Sequence, residues 1–125
     1  MKLTANFSLS EFKCKDGTDV PTELMPNVKK LANELQKLRD LLDEPIYINS
    51  GYRAPSYNKK IGGARNSFHV QAKAADIVVK SLSPKQLHSK IEYFISQGVL
   101  NFKGIGLYST FVHVDVRDKK ARWNG

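Results

Sequence analysis

A single cysteine, Cys14, leaves this chain without an internal disulfide and without the set of thiolates that a structural zinc site uses. No thiol-nucleophile motif surrounds it, so Cys14 is expected to be a small buried residue near the N-terminus. Long apolar runs are missing too. Residues 1–6 carry none of the apolar core, about 7–15 residues long, that marks a signal peptide, and no later stretch reaches the roughly 20 apolar residues of a membrane span. The expectation is a chain that neither exports itself nor enters a membrane. Repeats, low-complexity tracts and linker-like segments are also lacking, which predicts one domain, 1–125, around one core.

Negative charge is scarce. Twelve Asp and Glu face 20 Lys and Arg, for a net charge of +8. Such a balance favours polyanionic partners, whether nucleic acid, acidic membrane or bacterial wall, and equally suits a plain solvated surface. The basic residues are scattered, at Lys29-Lys30, Lys59-Lys60, Arg65 and within 117–122. No helix-turn-helix or RNA-binding signature accompanies them, so no nucleic-acid partner is expected. Gly62-Gly63 is not followed by Lys-Ser/Thr, which removes a phosphate loop.

What is present reads as a short series of elements. Phe7, Leu9 and Phe12 anchor a turn or short helix near the start. From Asn27 to about Leu42 the residues Val28, Leu31, Leu35, Leu38 and Leu42 follow helical spacing and form a core stripe. A short strand follows Pro45, then a loop dense in turn formers over 50–58. Ser83-Pro84-Lys85-Gln86 is a strong helix start, with Leu87, Ile91, Phe94 and Ile95 on one face and Gly98 at the end. His88 on that helix has no partner at ligand spacing and is expected at the surface or its boundary. Residues 104–108 and 111–116 form two strands around Ser109-Thr110, and the basic tail is tied down by Trp123. The order predicts an α+β domain: a small, mainly antiparallel sheet with helices packed on one face.

The chemistry concentrates in Ser67-Phe68-His69-Val70-Gln71-Ala72-Lys73-Ala74-Ala75-Asp76 and in Phe111-Val112-His113-Val114-Asp115. Period-2 alternation puts Asp76 opposite Ala75 and Ile77, and puts His113 and Asp115 opposite Val112 and Val114. If the two strands pair, Asp76 and His113 project side by side, and His69 reaches in from the preceding loop. Two imidazoles and one carboxylate are a ligand set that Zn²⁺ accepts, with a fourth position left for water. Each of these residues taken alone is more often a satisfied structural residue; together their pattern favours the metal. Arg53 sits on a glycine-containing turn directly after a strand, where a guanidinium can pair with a carboxylate or stabilise an oxyanion. A plain surface cation is the other reading of Arg53.

Ser67-x-His69 followed by Ala74-x-Asp76, with His113-x-Asp115 near the end, resembles the zinc D-alanyl-D-alanine carboxypeptidase family of peptidoglycan metallopeptidases, which share a fold with the amino-terminal domain of hedgehog proteins. The usual pattern is Ser-x-His-x-x-Gly-x-Ala-x-Asp, so Ala72 replaces a glycine here. Ser50-Gly51-Tyr52-Arg53-Ala54-Pro55-Ser56-Tyr57-Asn58 looks like the second signature. The resemblance implies a zinc peptidase acting on peptidoglycan stem peptides. Its metal ligands would be His69, Asp76 and His113. Arg53 would meet substrate carboxylate or oxyanion, Asn58 would hold the loop and contribute to substrate binding, and Ser67 would touch substrate. It also implies delivery to the wall by release or by a phage, and a monomer with no membrane partner. Related enzymes place a general acid–base carboxylate three residues before the second histidine, where this chain has Thr110. Asp115 is then the nearest candidate for the base, with orientation of a ligand as its alternative role. A zinc-bearing binding module of the same fold is the competing function.

Overall fold

The computed structural model describes the whole chain, Met1–Gly125. Its N-terminal segment makes a 3-10 turn at Leu9–Phe12, where the Glu11 carboxylate accepts the Ser8 N–H at 2.7 Å. Phe7 and Phe12 bury completely, with ring centroids 6.3 Å apart. A second 3-10 turn leads into helix α1, Met25–Leu42, two residues earlier than the apolar spacing alone marks. Pro26 fits there because the first helical N–H groups have no intrahelical acceptor to lose. Strand β1, Tyr47–Ser50, follows, then α2, Pro55–Lys60, β2, Ala74–Val78, and α3, Pro84–Ser96. The start of α3 is the expected capping box. Ser83 Oγ accepts the Gln86 N–H at 3.1 Å, and Gln86 Oε1 accepts the Ser83 N–H at 2.9 Å. Strands β3, Gly104–Leu107, β4, Val112–Asp115, and β5, Ala121–Asn124, complete the chain.

The strands form one sheet in the order β1-β2-β4-β3-β5, antiparallel except for the β3–β5 pair. One face is apolar. Ala75, Ile77, Ile105, Val112 and Val114 are fully buried there, in one cluster with Val28, Leu31, Leu35 and Leu38 of α1 and Leu87 and Ile91 of α3. Each buried Leu, Ile or Val contributes roughly 1.5–3 kcal/mol, so this face fixes the register of every central strand. The α+β class, with α1 and α3 covering the apolar face, follows from the alternation already visible in the sequence. Cys14 is buried and His88 half-buried, as expected.

Two parts differ from expectation. Within the turn-rich stretch after β1, residues 55–60 are helical, because Pro55 presets the first helical φ and Asn58 N–H reaches Ala54 O at 2.9 Å. The tail is a strand and not only an anchored coil. Its four residues alternate Ala121-Arg122-Trp123-Asn124, a run too short to mark a strand by itself; they pair in parallel with β3 and are pinned by side chains. Arg122 binds Glu92 at 2.9 Å, and Trp123 Nε1 donates to Tyr108 Oη at 2.9 Å.

Candidate metal centre

The face of the sheet opposite the helices carries one row of paired residues. Ser50 of β1 pairs with Asp76 of β2, Asp76 with His113 of β4, His113 with Gly106 of β3, and Gly106 with Trp123 of β5. Asp76 and His113 are therefore direct cross-strand neighbours. His69 comes from the turn before β2, which closes through Val70 N–H to Ser67 O and Ala72 N–H to His69 O, each 3.1 Å. All three side chains are buried, and one ligand atom from each lies within 4.8 Å of the others.

Hydrogen bonds fix which ring nitrogens face inward. His69 Nδ1 lies 2.8 Å from the Gly51 carbonyl, an obligatory acceptor, so Nδ1 carries the proton and Nε2 points its lone pair inward. Its distance to Asp76 Oδ1 is 3.2 Å. His113 is reversed: Nε2 donates to Asp115 Oδ2 at 2.7 Å, and Nδ1 lies 3.1 Å from the same Asp76 Oδ1. Two imidazole lone pairs thus converge on one carboxylate oxygen. Such a set repels itself unless protons or a cation stand between its members, and it matches the nitrogen–oxygen donor chemistry of zinc. The residues fit the metal.

Arg53 holds the other oxygen of Asp76, with Nη2 to Oδ2 at 3.2 Å. Its own fork is held by Ser50 Oγ at 3.1 Å and Asn58 Oδ1 at 3.4 Å. Asn58 is buried and donates to Ala64 O at 2.9 Å, which ties α2 to the loop beyond it. Ser67 Oγ accepts the His69 N–H at 3.2 Å. A cleft of about 490 Å³ opens over the cluster, walled by Arg53, Ser67, Phe68, Tyr108, Phe111 and Trp123 among others. Of the residues singled out in the sequence, Arg53, Ser67, His69, Asp76 and His113 line this cleft, and Asn58 stands one step behind Arg53. Asp115 does not reach it. That residue is fully buried beneath His113, with both oxygens engaged. Thr110 is exposed and lines a separate groove with Ile77, Leu82 and Leu87.

A family model described as Peptidase M15 matches residues 3–115. The chain belongs to the Peptidase M15 family. Over 45 residues it is 42% identical to the zinc D-Ala-D-Ala carboxypeptidase of Streptomyces albus G, a stretch covering 35% of this chain and 18% of that protein.

In this Peptidase M15 member the charges of the site are set by one another. Burial pushes the Asp76 carboxyl up, but the ring nitrogens of His113 and His69 set against its Oδ1 outweigh it and hold the group below the ordinary carboxylate range. Burial likewise opposes the charge on Asp115, where hydrogen bonds from His113 and Arg117 win. Burial pushes His113 down, yet its bonds to Asp115 and Asp76 raise it above an ordinary histidine. That direction favours a proton on His113 in the metal-free protein.

Four site residues escaped the reading of the sequence: Arg117, Trp123 as a wall of the cleft, and the glycines of β3. A side chain on Gly104 would run into the Asp115 carboxylate, and one on Gly106 into the Trp123 ring. The two glycines leave the room those groups fill. Arg117 continues the alternation His113-x-Asp115-x-Arg117, a signal that was available.

Proposed function

We propose that this Peptidase M15 member is a zinc-dependent peptidase that cleaves D-amino-acid-containing stem peptides of bacterial peptidoglycan, as a carboxypeptidase or an endopeptidase. The observation that carries the reading is the convergence of His69 Nε2, Asp76 Oδ1 and His113 Nδ1 at the floor of a cleft that also holds an arginine. The name of the Streptomyces relative supplies the substrate class and the metal. The three atoms would hold zinc, which when bound polarises a scissile carbonyl and acidifies water.

The chain's own residues divide the remaining work. Arg53, braced by Ser50 and Asn58, presents a fixed guanidinium to a substrate carboxylate or to the developing oxyanion. Its bond to Asp76 Oδ2 leaves only Oδ1 facing the histidines. Ser67 contacts the peptide from the cleft wall. The position of Asp115 favours orientation of His113 over proton abstraction, because no oxygen of Asp115 reaches the cleft. The +8 surface suits a wall rich in carboxylates and teichoic acids.

One observation favours a second reading, a zinc-bearing binding module. A peptidase of this kind needs a proton acceptor near the attacking water, and Thr110 both lacks basicity and faces away from the cleft. Digestion of purified peptidoglycan, with and without a chelator and with products identified by mass, decides between them. Release of stem-peptide fragments only in the metal-loaded sample is the expected result. Intact peptidoglycan of every wall type beside fully loaded protein leaves the binding module.

A further inference from the structure

We infer that Arg117 is a positioning residue for the His113 ligand, acting through Asp115, and that Phe68 and Trp123 clamp it in place. The inference rests on His113 being a metal ligand. Arg117 grips Asp115 with a two-pronged fork: Nε donates to Oδ1 at 2.8 Å and Nη2 to Oδ2 at 2.7 Å. Its backbone N–H adds a third bond to Oδ1 at 3.2 Å. Asp115 Oδ2 then accepts from His113 Nε2 at 2.7 Å. The line from guanidinium to carboxylate to imidazole ends at Nδ1, the nitrogen that faces His69 and Asp76.

Packing holds this line from outside. The Arg117 guanidinium carbon sits 4.3 Å from the centroid of Phe68 and 5.0 Å from that of Trp123. Cation–π attraction at such distances strengthens as water is excluded. Trp123 also leans on His113, with centroids 5.0 Å apart and planes at 53°. Phe68 precedes His69 in the chain, so the clamp ties the turn of one candidate ligand to the support of the other. A lysine could keep the charge but not the fork or the stacking, because an ammonium is a point donor. The Asp115 carboxylate occupies the space that Gly104 leaves open, and without the fork it keeps one side-chain partner, His113. A partly satisfied buried carboxylate is free to turn, and the imidazole turns with it.

The test is zinc affinity, read by competition with a chromophoric chelator, for the wild-type chain and for Arg117→Met, Arg117→Lys, Trp123→Leu, His113→Ala and Lys119→Ala. Arg117→Met should weaken zinc binding about 10–100-fold, the usual worth of an outer partner of a ligand. Arg117→Lys should fail to restore it. Trp123→Leu should lose several-fold, and Lys119→Ala, an equal loss of surface charge, nothing. Any peptidase activity lost in Arg117→Met should return at saturating zinc with KM unchanged. Should Arg117→Met not fold, Arg117→Lys and Trp123→Leu carry the test. Wild-type zinc affinity in folded Arg117 variants, beside a lost site in His113→Ala, overturns the inference alone. A raised KM with unchanged zinc affinity does the same, since it would make Arg117 a substrate contact. Wild-type affinity in His113→Ala overturns the ligand assignment and this inference together.

Discussion

The two histidines meet the same carboxylate oxygen at nearly the same distance, 3.2 Å for His69 and 3.1 Å for His113, yet they are held by different physics. His69 leans on main chain. Its outer nitrogen binds the Gly51 carbonyl, and Gly51 is pressed so closely on Phe12 that a side chain there would come within 2.9 Å of the Phe12 backbone. The Tyr52 N–H donates to Phe12 O at 2.8 Å, so this contact is part of the N-terminal packing. His113 leans on charge. Its outer nitrogen binds a buried carboxylate that an arginine holds from behind. One histidine thus depends on how the chain packs around residue 12, the other on an ion pair inside the sheet face. The first support is a neutral carbonyl; the second is a charged carboxylate, strong, directional and titratable.

Breaking each support separately should give different signatures. Asp115→Asn keeps the shape and removes the charge. Zinc affinity should fall roughly 10–100-fold, and activity should recover as zinc is raised. A drop in turnover of about 10²–10⁴-fold with zinc retained would instead make Asp115 the base. Gly51→Ala acts on the other side by steric force. Overpacking of this kind costs about 1–3 kcal/mol, so a lower midpoint of denaturation should accompany a smaller loss of zinc affinity. If Gly51→Ala left both unchanged, the carbonyl would not be what fixes His69.

The pH dependence isolates the charged support. In the metal-free protein Asp76 and Asp115 are held below their ordinary values. Their contribution to stability is present above the unfolded carboxylate range and is lost as pH falls through the folded values. His113 is held above 6.5, so its contribution is present below that value and is lost as pH rises through the folded one. Thermal melts from about pH 5 to about pH 9 should therefore show an alkaline decline without zinc. Zinc needs His113 without its Nδ1 proton, so the decline should vanish when zinc is bound. An identical alkaline arm with and without zinc would detach His113 from the metal.

The uneven support also explains what the sequence disclosed. Asp76, His113 and Asp115 were legible because strands alternate with period 2 and the opposite face is unmistakably apolar. His69 was legible as a residue type at a telling spacing, but its bond to Gly51, 18 positions away, was not. Arg117 was hidden by counting it as one more basic charge in the tail. Helix α2 and strand β5 were hidden because they are short and owe their form to distant partners, Ala64 for one and Glu92 and Tyr108 for the other. Over four to six residues any local periodicity is too brief to outweigh that tertiary context.

The mildest test lies in the turn that presents His69. Ala72 takes the position where the resembling pattern has glycine, and its φ is 57°, in the left-handed region. A side chain there costs roughly 1–2 kcal/mol. Ala72→Gly relieves that strain, but it also removes a buried methyl worth about 0.8 kcal/mol. It further frees the unfolded chain by about 0.4–1 kcal/mol. The effects oppose one another and nearly cancel, so stability should stay within about 1 kcal/mol of wild type in urea denaturation. Ala75→Gly is the control: equally buried, within β2 and without a positive φ, it should lose about 1–2 kcal/mol with nothing to offset it. Zinc affinity should hardly move in Ala72→Gly, because the Ala72 N–H to His69 O bond that shapes the turn involves main chain only. A loss of affinity without a loss of stability would mean that the rigidity of this alanine, and not only the Gly51 carbonyl, keeps His69 in place.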